Sequence, residues 1–282
     1  MNIKKSYDKK IRFGVSFKPN NFREIKRKIE ELKELELDIL EIAFLEGVFI
    51  TEEEGYEIRR ESDINRVALS VHSPYYINFN ADNREMIKKS KFHLCKSARI
   101  GKIMGAENIV FHPGYYGNNR KNGFDKIKDG IEEVSEVLKA EFNDTVLRAE
   151  TMGKKREFGE LEEIILLSQS IDNVLPCIDF AHLHARTQRY NSYPEFNKLF
   201  KRLEKRLGIE YIKNMHIHVS GIEYGREGEK YHLNLMDSDF RFDEWIEAVR
   251  EYDIGGNIII ESPEPYEDAI MLKNLYWKKD EN

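Results

Sequence analysis

The stretch PCIDFAHLHA, residues 176–185, ends a short apolar run with Asp179 and places His182 three residues later. A carboxylate and an imidazole at the end of a buried strand are costly to place there without a partner. A divalent metal ion is the commonest partner for that pair. The same residue types recur in the same kind of position: His72, His112, Glu150, His216 and Glu261 each end, or nearly end, a short apolar run. Three imidazoles and three carboxylates exceed the protein ligands of one ordinary catalytic zinc, and suit two ions about 4 Å apart that share a carboxylate. His182, with Glu229 and His232 in the irregular segment EGEKYH, could hold a third ion. Such a cluster suits metal-assisted hydrolysis.

The supporting framework alternates strand and helix. Strand-like runs fall at Ile11 to Phe17, Ile39 to Phe44 with Glu41 inside it, Val67 to Val71, Asn108 to Phe111, Val146 to Ala149, Val174 to Ile178, Tyr211 to Val219 and Asn257 to Ile260. Helical spacing of apolar residues marks Phe22 to Leu35, Asp82 to Met104 before Gly105, Phe124 to Phe142, Glu160 to Ser170, Phe242 to Tyr252 and Tyr266 to Trp277. Two more helices are expected, one after a Thr51 cap over 51–61 and one from Pro194 to Leu207 with proline at its start. No linker, repeat or low-complexity tract divides the chain. Eight strand–helix units in roughly 250 residues predict an α/β fold, a (β/α)8 TIM barrel forming a single domain over residues 1–282. All eight strand ends then converge on one face, where barrel active sites are built. A doubly wound open sheet is the rival, but no GxGxxG follows the first strand. His218 shares a strand face with His216 and admits two readings, a site residue or a hydrogen-bonded histidine of the barrel interior. His93 reads as helix surface or packing and His184 as a loop residue.

A net charge of −6 gives no global basic footprint for nucleic acid, although a local basic face remains open. The 34% charged fraction, rich in Lys and Glu, suits ion-pair networks of the thermophilic kind. Cys95 and Cys177 lack CxxC spacing and make no disulfide framework, which points to a reducing, cytoplasmic setting. No apolar run approaches a membrane span, and MNIKKSYDKK lacks the apolar centre of a signal peptide.

Six segments then carry a resemblance. VHSPYYINF at 71–79, FHPG at 111–114, LRAETMG at 147–153, CIDFAH at 177–182, MHIH at 215–218 and IIIESP at 258–263 follow one another in order at strand ends. Together they resemble the endonuclease IV type of apurinic/apyrimidinic endonuclease, a branch of the xylose-isomerase-like TIM barrels. The resemblance implies zinc, or manganese, as two or three ions held by His72, His112, Glu150, Asp179, His182, His216, Glu229, His232 and Glu261. It implies that Glu150 bridges two ions, that Glu261 holds the attacking nucleophile, and that Tyr75 and Tyr76 contact DNA. The implied activity is hydrolysis of the phosphodiester 5′ to an abasic site in double-stranded DNA, leaving a 3′-hydroxyl, by a monomer with no membrane partner. Where the family has Asp-x-His on the seventh loop, this chain has Glu229 and His232 with two residues between them. The family's following Gly-Glu-Gly run is replaced by NLMDSDF, and the second loop, FLEGVFI, has no basic residue. The alternative is a divalent-metal-dependent sugar isomerase or epimerase of the same barrel type, for which Glu150, Asp179, His216 and Glu261 around one ion would suffice.

Overall fold

The computed structural model describes residues 11–117 and 120–278. The N-terminal stretch read above for targeting lies outside them. Eight parallel strands close into a barrel: β1 (Arg12–Phe17), β2 (Ile39–Ala43), β3 (Ala68–His72), β4 (Asn108–Phe111), β5 (Val146–Glu150), β6 (Val174–Asp179), β7 (Met215–Val219) and β10 (Gly256–Ile260). Closure runs through β1, which pairs with β10 on one side and β2 on the other. Every residue of β2, β7 and β10 is buried, as expected for parallel strands covered on both faces.

Helices α1 (Phe22–Glu34), α2 (Glu52–Asn65), α3 (Arg84–Met104), α4 (Arg120–Ala140), α5 (Leu161–Ser170), α7 (Tyr193–Leu207), α9 (Phe242–Glu251) and α10 (Pro265–Trp277) fill the crossovers. Thr51 caps α2 in a reciprocal capping box with Glu54, which fixes that helix start where the sequence puts it. The outer layer buries an aromatic cluster in which Phe180 packs against Phe196, Phe200 and Trp245. At the opposite end of the barrel from the strand C-termini, buried Arg148 donates to Asn108 Oδ1 at 2.7 Å and to the carbonyls of Pro176 and Asn214 at 3.3 and 2.8 Å.

Three expectations change. The seventh strand begins at Met215, not Tyr211, because Ile209–Ile212 form a short helix, α8, that buries Tyr211 and Ile212. A short apolar run does not distinguish the two by periodicity. The chain after Asp179 is helix α6 (Phe180–Thr187) rather than a loop. The segment carrying Glu229 and His232 is half of an antiparallel hairpin, β8 (Gly221–Gly225) and β9 (Gly228–Leu233).

Candidate metal centre

Asp179 does two jobs at the end of β6. It is the N-cap of α6, its Oδ1 accepting from the His182 backbone N–H at 2.7 Å. That geometry puts His182 at the third helical position, which is the physical content of the Asp-x-x-His spacing. The other oxygen, Oδ2, is buried without a hydrogen-bond partner.

Glu150 closes β5 and lies at the centre. Its Oε2 is 3.2 Å from His72 Nε2 and 3.1 Å from His112 Nε2. Its Oε1 is 3.3 Å from His182 Nδ1 and 3.5 Å from His218 Nδ1. Each oxygen therefore faces a different set of imidazoles. Burial pushes the Glu150 carboxyl up, but the His112 and His218 imidazoles outweigh it and hold the group well below the usual carboxylate range.

The imidazoles are oriented from behind. His72 Nδ1 is 2.8 Å from the Ser73 carbonyl, His182 Nδ1 is 3.0 Å from the Thr151 carbonyl, and His232 Nδ1 is 3.0 Å from the Glu261 carbonyl. A carbonyl only accepts, so each Nδ1 carries the hydrogen and each Nε2 is the nitrogen turned to the bowl. Backbone carbonyls behind histidines are the arrangement that orients metal ligands. The Nε2 atoms of His182 and His232 lie 3.3 Å apart, with Glu229 Oε2 3.4 Å from His182 Nε2.

The hairpin brings Glu229 and His232 onto one face by a β-bulge. Glu229 pairs with Tyr224 and Tyr231 with Glu223, so Lys230 is the extra residue. Three residues apart in a regular strand, Glu229 and His232 would face opposite sides; the bulge cancels the mismatch. The hairpin is pinned to the loop after β5. Glu229 N–H donates to the Gly153 carbonyl at 3.3 Å, and Lys155 N–H to the Glu227 carbonyl at 3.1 Å. A side chain at Gly153 would meet Glu229 Cβ at 2.7 Å, and Gly228, at φ +94°, passes the same carbonyl too closely for one.

Among the described residues four groups of ligand-capable atoms result, each with its atoms within 4.8 Å of one another: Cys177, His216 and His218; His72, His112 and Glu150; His182, Glu229 and His232; Glu150, Asp179, His218 and Glu261. His216, expected with Glu150, Asp179 and Glu261, falls instead with Cys177 and His218, while His218, two residues on, is in the group of those three carboxylates. In register, His218 is level with Asp179, whereas His216 is level with Cys177 and Asn257, one layer deeper. Both His216 nitrogens are engaged there: Asn257 Nδ2 donates to Nδ1 at 3.2 Å, and Nε2 lies 2.9 Å from Glu41 Oε2. Burial pushes the His216 pKa down to about 4 against the pull of Glu41. The sequence reading also passed over Glu41 and Ser70, which are buried inside the barrel beside these histidines. A charge in the middle of the otherwise apolar run Ile39 to Phe44 was the available signal.

The donor set fits divalent cations. Asp179 Oδ2 and both nitrogens of His218 are buried without hydrogen bonds, an arrangement that is costly unless a charge compensates it. Protons compensate in part. Burial lowers the affinity of His182 and His218 for a proton, but Asp179 and Glu229 around the first, and Cys177, Glu261 and Glu41 around the second, raise both pKa values well above the ordinary histidine value.

Tyr75 and Tyr76 flank the mouth, both exposed to solvent. Tyr75 stacks on His112 with ring centroids 4.9 Å apart, and its edge meets His72 at 4.8 Å. Tyr76 turns away, its hydroxyl donating to the Glu46 carbonyl at 3.2 Å beside His93. His184, expected as a loop residue, is buried in α6 against Asp239 and Tyr224.

A closed eight-stranded α/β barrel with imidazole and carboxylate groups gathered at its strand C-termini defines a TIM barrel equipped to bind metal ions. The chain belongs to the xylose isomerase-like TIM barrel family, whose model matches residues 29–279. It is 36% identical over 266 residues to an uncharacterized protein of Methanocaldococcus jannaschii, covering 94% of this chain and 96% of that one. It is 28% identical over 225 residues to a probable endonuclease 4 of Staphylococcus carnosus, covering 77% of this chain and 73% of that one. Among solved structures, endonuclease IV from Thermus thermophilus superposes with a TM-score of 0.73 at 18% identity, covering 94% of this chain and 97% of that one. A D-tagatose 3-epimerase-like protein superposes with a TM-score of 0.71 at 21% identity, covering 94% and 95%. At those identities the superpositions speak for the fold alone. Among the described residues, no helix is long and apolar enough to cross a membrane.

Proposed function

We propose that this chain is a metal-dependent phosphodiesterase that cuts DNA on the 5′ side of abasic sites and leaves a 3′-hydroxyl. The observation that carries this reading is the surplus of oriented imidazoles. The group of Glu150, Asp179, His218 and Glu261 would serve a single ion in a sugar epimerase, but His72, His112, His182 and His232 would then have no task. The Nε2 atoms of His72, His182 and His232, each turned inward by a backbone carbonyl behind the ring, suit further ions. The similarity to a probable endonuclease 4 supports the same reading.

His72, His112 and Glu150 would hold one ion, Glu150, Asp179, His218 and Glu261 a second, and His182, Glu229 and His232 a third. Bound there, zinc or manganese would supply Lewis-acid activation of water and neutralise charge on the phosphate. Glu150, with its two oxygens turned to different imidazoles, belongs to two of the groups at once. Glu261, from the end of β10, orients the attacking water with its carboxylate. Tyr75, stacked over His112, shields that side of the bowl from solvent and offers a ring face to a nucleotide.

The test is a labelled duplex with a single abasic site, incubated with metal-loaded protein beside a panel of ketoses. Cleavage with a 3′-hydroxyl terminus is expected. Intact duplex together with epimerised ketose would replace this reading with the sugar epimerase.

A further inference from the structure

Beneath the bowl, the barrel interior contains a polar layer of Glu41, Ser70, His216 and Asn257, with Cys177 beside it. Glu41, from the middle of β2, is fully buried there. Its Oε2 accepts from Ser70 Oγ at 2.8 Å and from His216 Nε2 at 2.9 Å. The His216 hydrogen is on Nε2 because Asn257 donates to the other nitrogen. The second oxygen, Oε1, lies 2.9 Å from His218 Nε2. Neither of those two atoms is committed elsewhere; their approach is close but off the axis of a formed hydrogen bond. On the far side of the same ring, His218 Nδ1 is 3.5 Å from an oxygen of Glu150 and 3.5 Å from an oxygen of Glu261. One carboxylate thus stands directly behind the imidazole whose front nitrogen belongs to the four-residue group.

We propose that Glu41 is a positioning residue: it takes the hydrogen of His218 Nε2, keeps the lone pair on Nδ1, and so completes the cation-binding group of Glu150, Asp179, His218 and Glu261. This inference rests on the metal reading above. His218 differs from three other histidines of the bowl in one respect. His72, His182 and His232 are backed by carbonyls on Nδ1 and present Nε2. His218 is reversed, presenting Nδ1, and no backbone carbonyl stands behind its Nε2. The strand geometry explains why a side chain has to serve instead. His218 lies within β7, between Asp179 of β6 and Ile259 of β10, where the backbone carbonyls are used in the sheet. A carboxylate reaching across the lumen from β2 is the acceptor available to it. Cys177, His216 and His218 also lie close together, but both His216 nitrogens are hydrogen-bonded and leave it no free lone pair to offer a cation.

The layout makes one substitution diagnostic. In Glu41→Gln, the atom that accepts from both Ser70 and His216 must remain the oxygen, so the amide NH2 faces His218 Nε2. That nitrogen must then accept, and the ring hydrogen moves to Nδ1, against the cation. Cobalt binding to the metal-stripped protein, followed by its visible absorption and by chelator competition, reads the consequence. The expected result is a folded Glu41→Gln protein whose cobalt affinity at this group falls about 10- to 100-fold. Nitrogen-15 NMR of histidine-labelled, zinc-loaded wild-type protein gives a second reading that needs no variant: the hydrogen of His218 is expected on Nε2 and the zinc on Nδ1. Unchanged cobalt affinity in a folded Glu41→Gln protein overturns the inference, as does zinc on Nε2 of His218. A cobalt–thiolate band abolished by Cys177→Ser would also overturn it, by making the layer a metal site. Wild-type protein that takes up no cobalt at all overturns the metal reading and this inference with it.

Discussion

Replacing Gly153 by alanine should weaken one metal group and spare the others. The new Cβ would lie 2.7 Å from both Cβ and Oε2 of Glu229 and 3.0 Å from Cδ2 of His182. Carbon contacts below 3 Å are not sustained, so the hairpin residue has to move. The backbone gives no relief and no extra penalty, since Gly153 is not among the residues with positive φ. Overpacking of this kind costs typically about 1–3 kcal/mol. Glu229 is on a solvent-facing hairpin and His182 on a packed helix, so Glu229 yields. The strain then appears as lost affinity of the His182, Glu229 and His232 group, about 5- to 150-fold. Stepwise chelation of zinc-loaded protein with ions counted per chain is the assay. The expected course is loss of one ion at correspondingly lower chelator concentration, with the remaining two retained as in the wild type. A Gly153→Ala protein that holds all its ions as tightly as the wild type would refute the reasoning, as would a wild type that never exceeds two ions at saturating zinc.

Glu261→Gln should keep the fold and lose cleavage by several orders of magnitude, since the amide keeps the shape but not the charge beside the reacting water; near-normal turnover would remove Glu261 from the mechanism. Arg148→Ala should lower stability to urea by about 2–4 kcal/mol, because Asn108 and two buried carbonyls lose their donor; a change within about 0.5 kcal/mol would show that the network contributes little. The metal-stripped protein should respond to pH in a defined sense. His182 and His218 bind protons more tightly folded than unfolded, so their contribution is complete below the ordinary histidine value and is lost as pH rises through the raised folded values. Glu41 and Glu150 are held low by their histidines against burial, so theirs is present above the ordinary carboxylate value and is lost as pH falls through the depressed ones. Stripped protein should therefore melt at its highest temperature on the mildly acidic side of neutrality, with zinc affinity climbing as pH rises; a melting temperature rising steadily into alkaline pH would contradict this.

The barrel was legible because its strands are short apolar runs ended by polar residues, and parallel burial leaves that pattern intact. His72, His112, Glu150, Asp179 and Glu261 were legible for the same reason, as they interrupt apolar runs at the rim. His216 and His218 were harder. They share a strand face and differ only in depth, which depends on the stagger of β7 against β6 and β10 and not on local sequence. Glu41 looked like a solitary exception in an apolar strand because its partners are 29 and 175 residues away along the chain. Helix α6 was hidden by its own cap: Asp179 reads as a ligand at a strand end, and nothing in the sequence says that its other oxygen also starts a helix. The hairpin was hidden by its bulge, which erases the two-residue alternation by which strands are recognised.

That bulge bears on how much change of length the strand can absorb. An inserted residue in a strand ordinarily inverts the facing of everything after it, and so would scatter a functional pair to opposite sides. Here Lys230 turns outward toward Glu223 and the chain recovers its register at once, with His232 opposite Ile222. A one-residue change of length at this spot is therefore close to silent for the inner face. Without Lys230 the two side chains would stand two residues apart and still share that face, so either spacing presents the pair to the bowl. What this hairpin holds fixed is a facing, and either spacing is compatible with it.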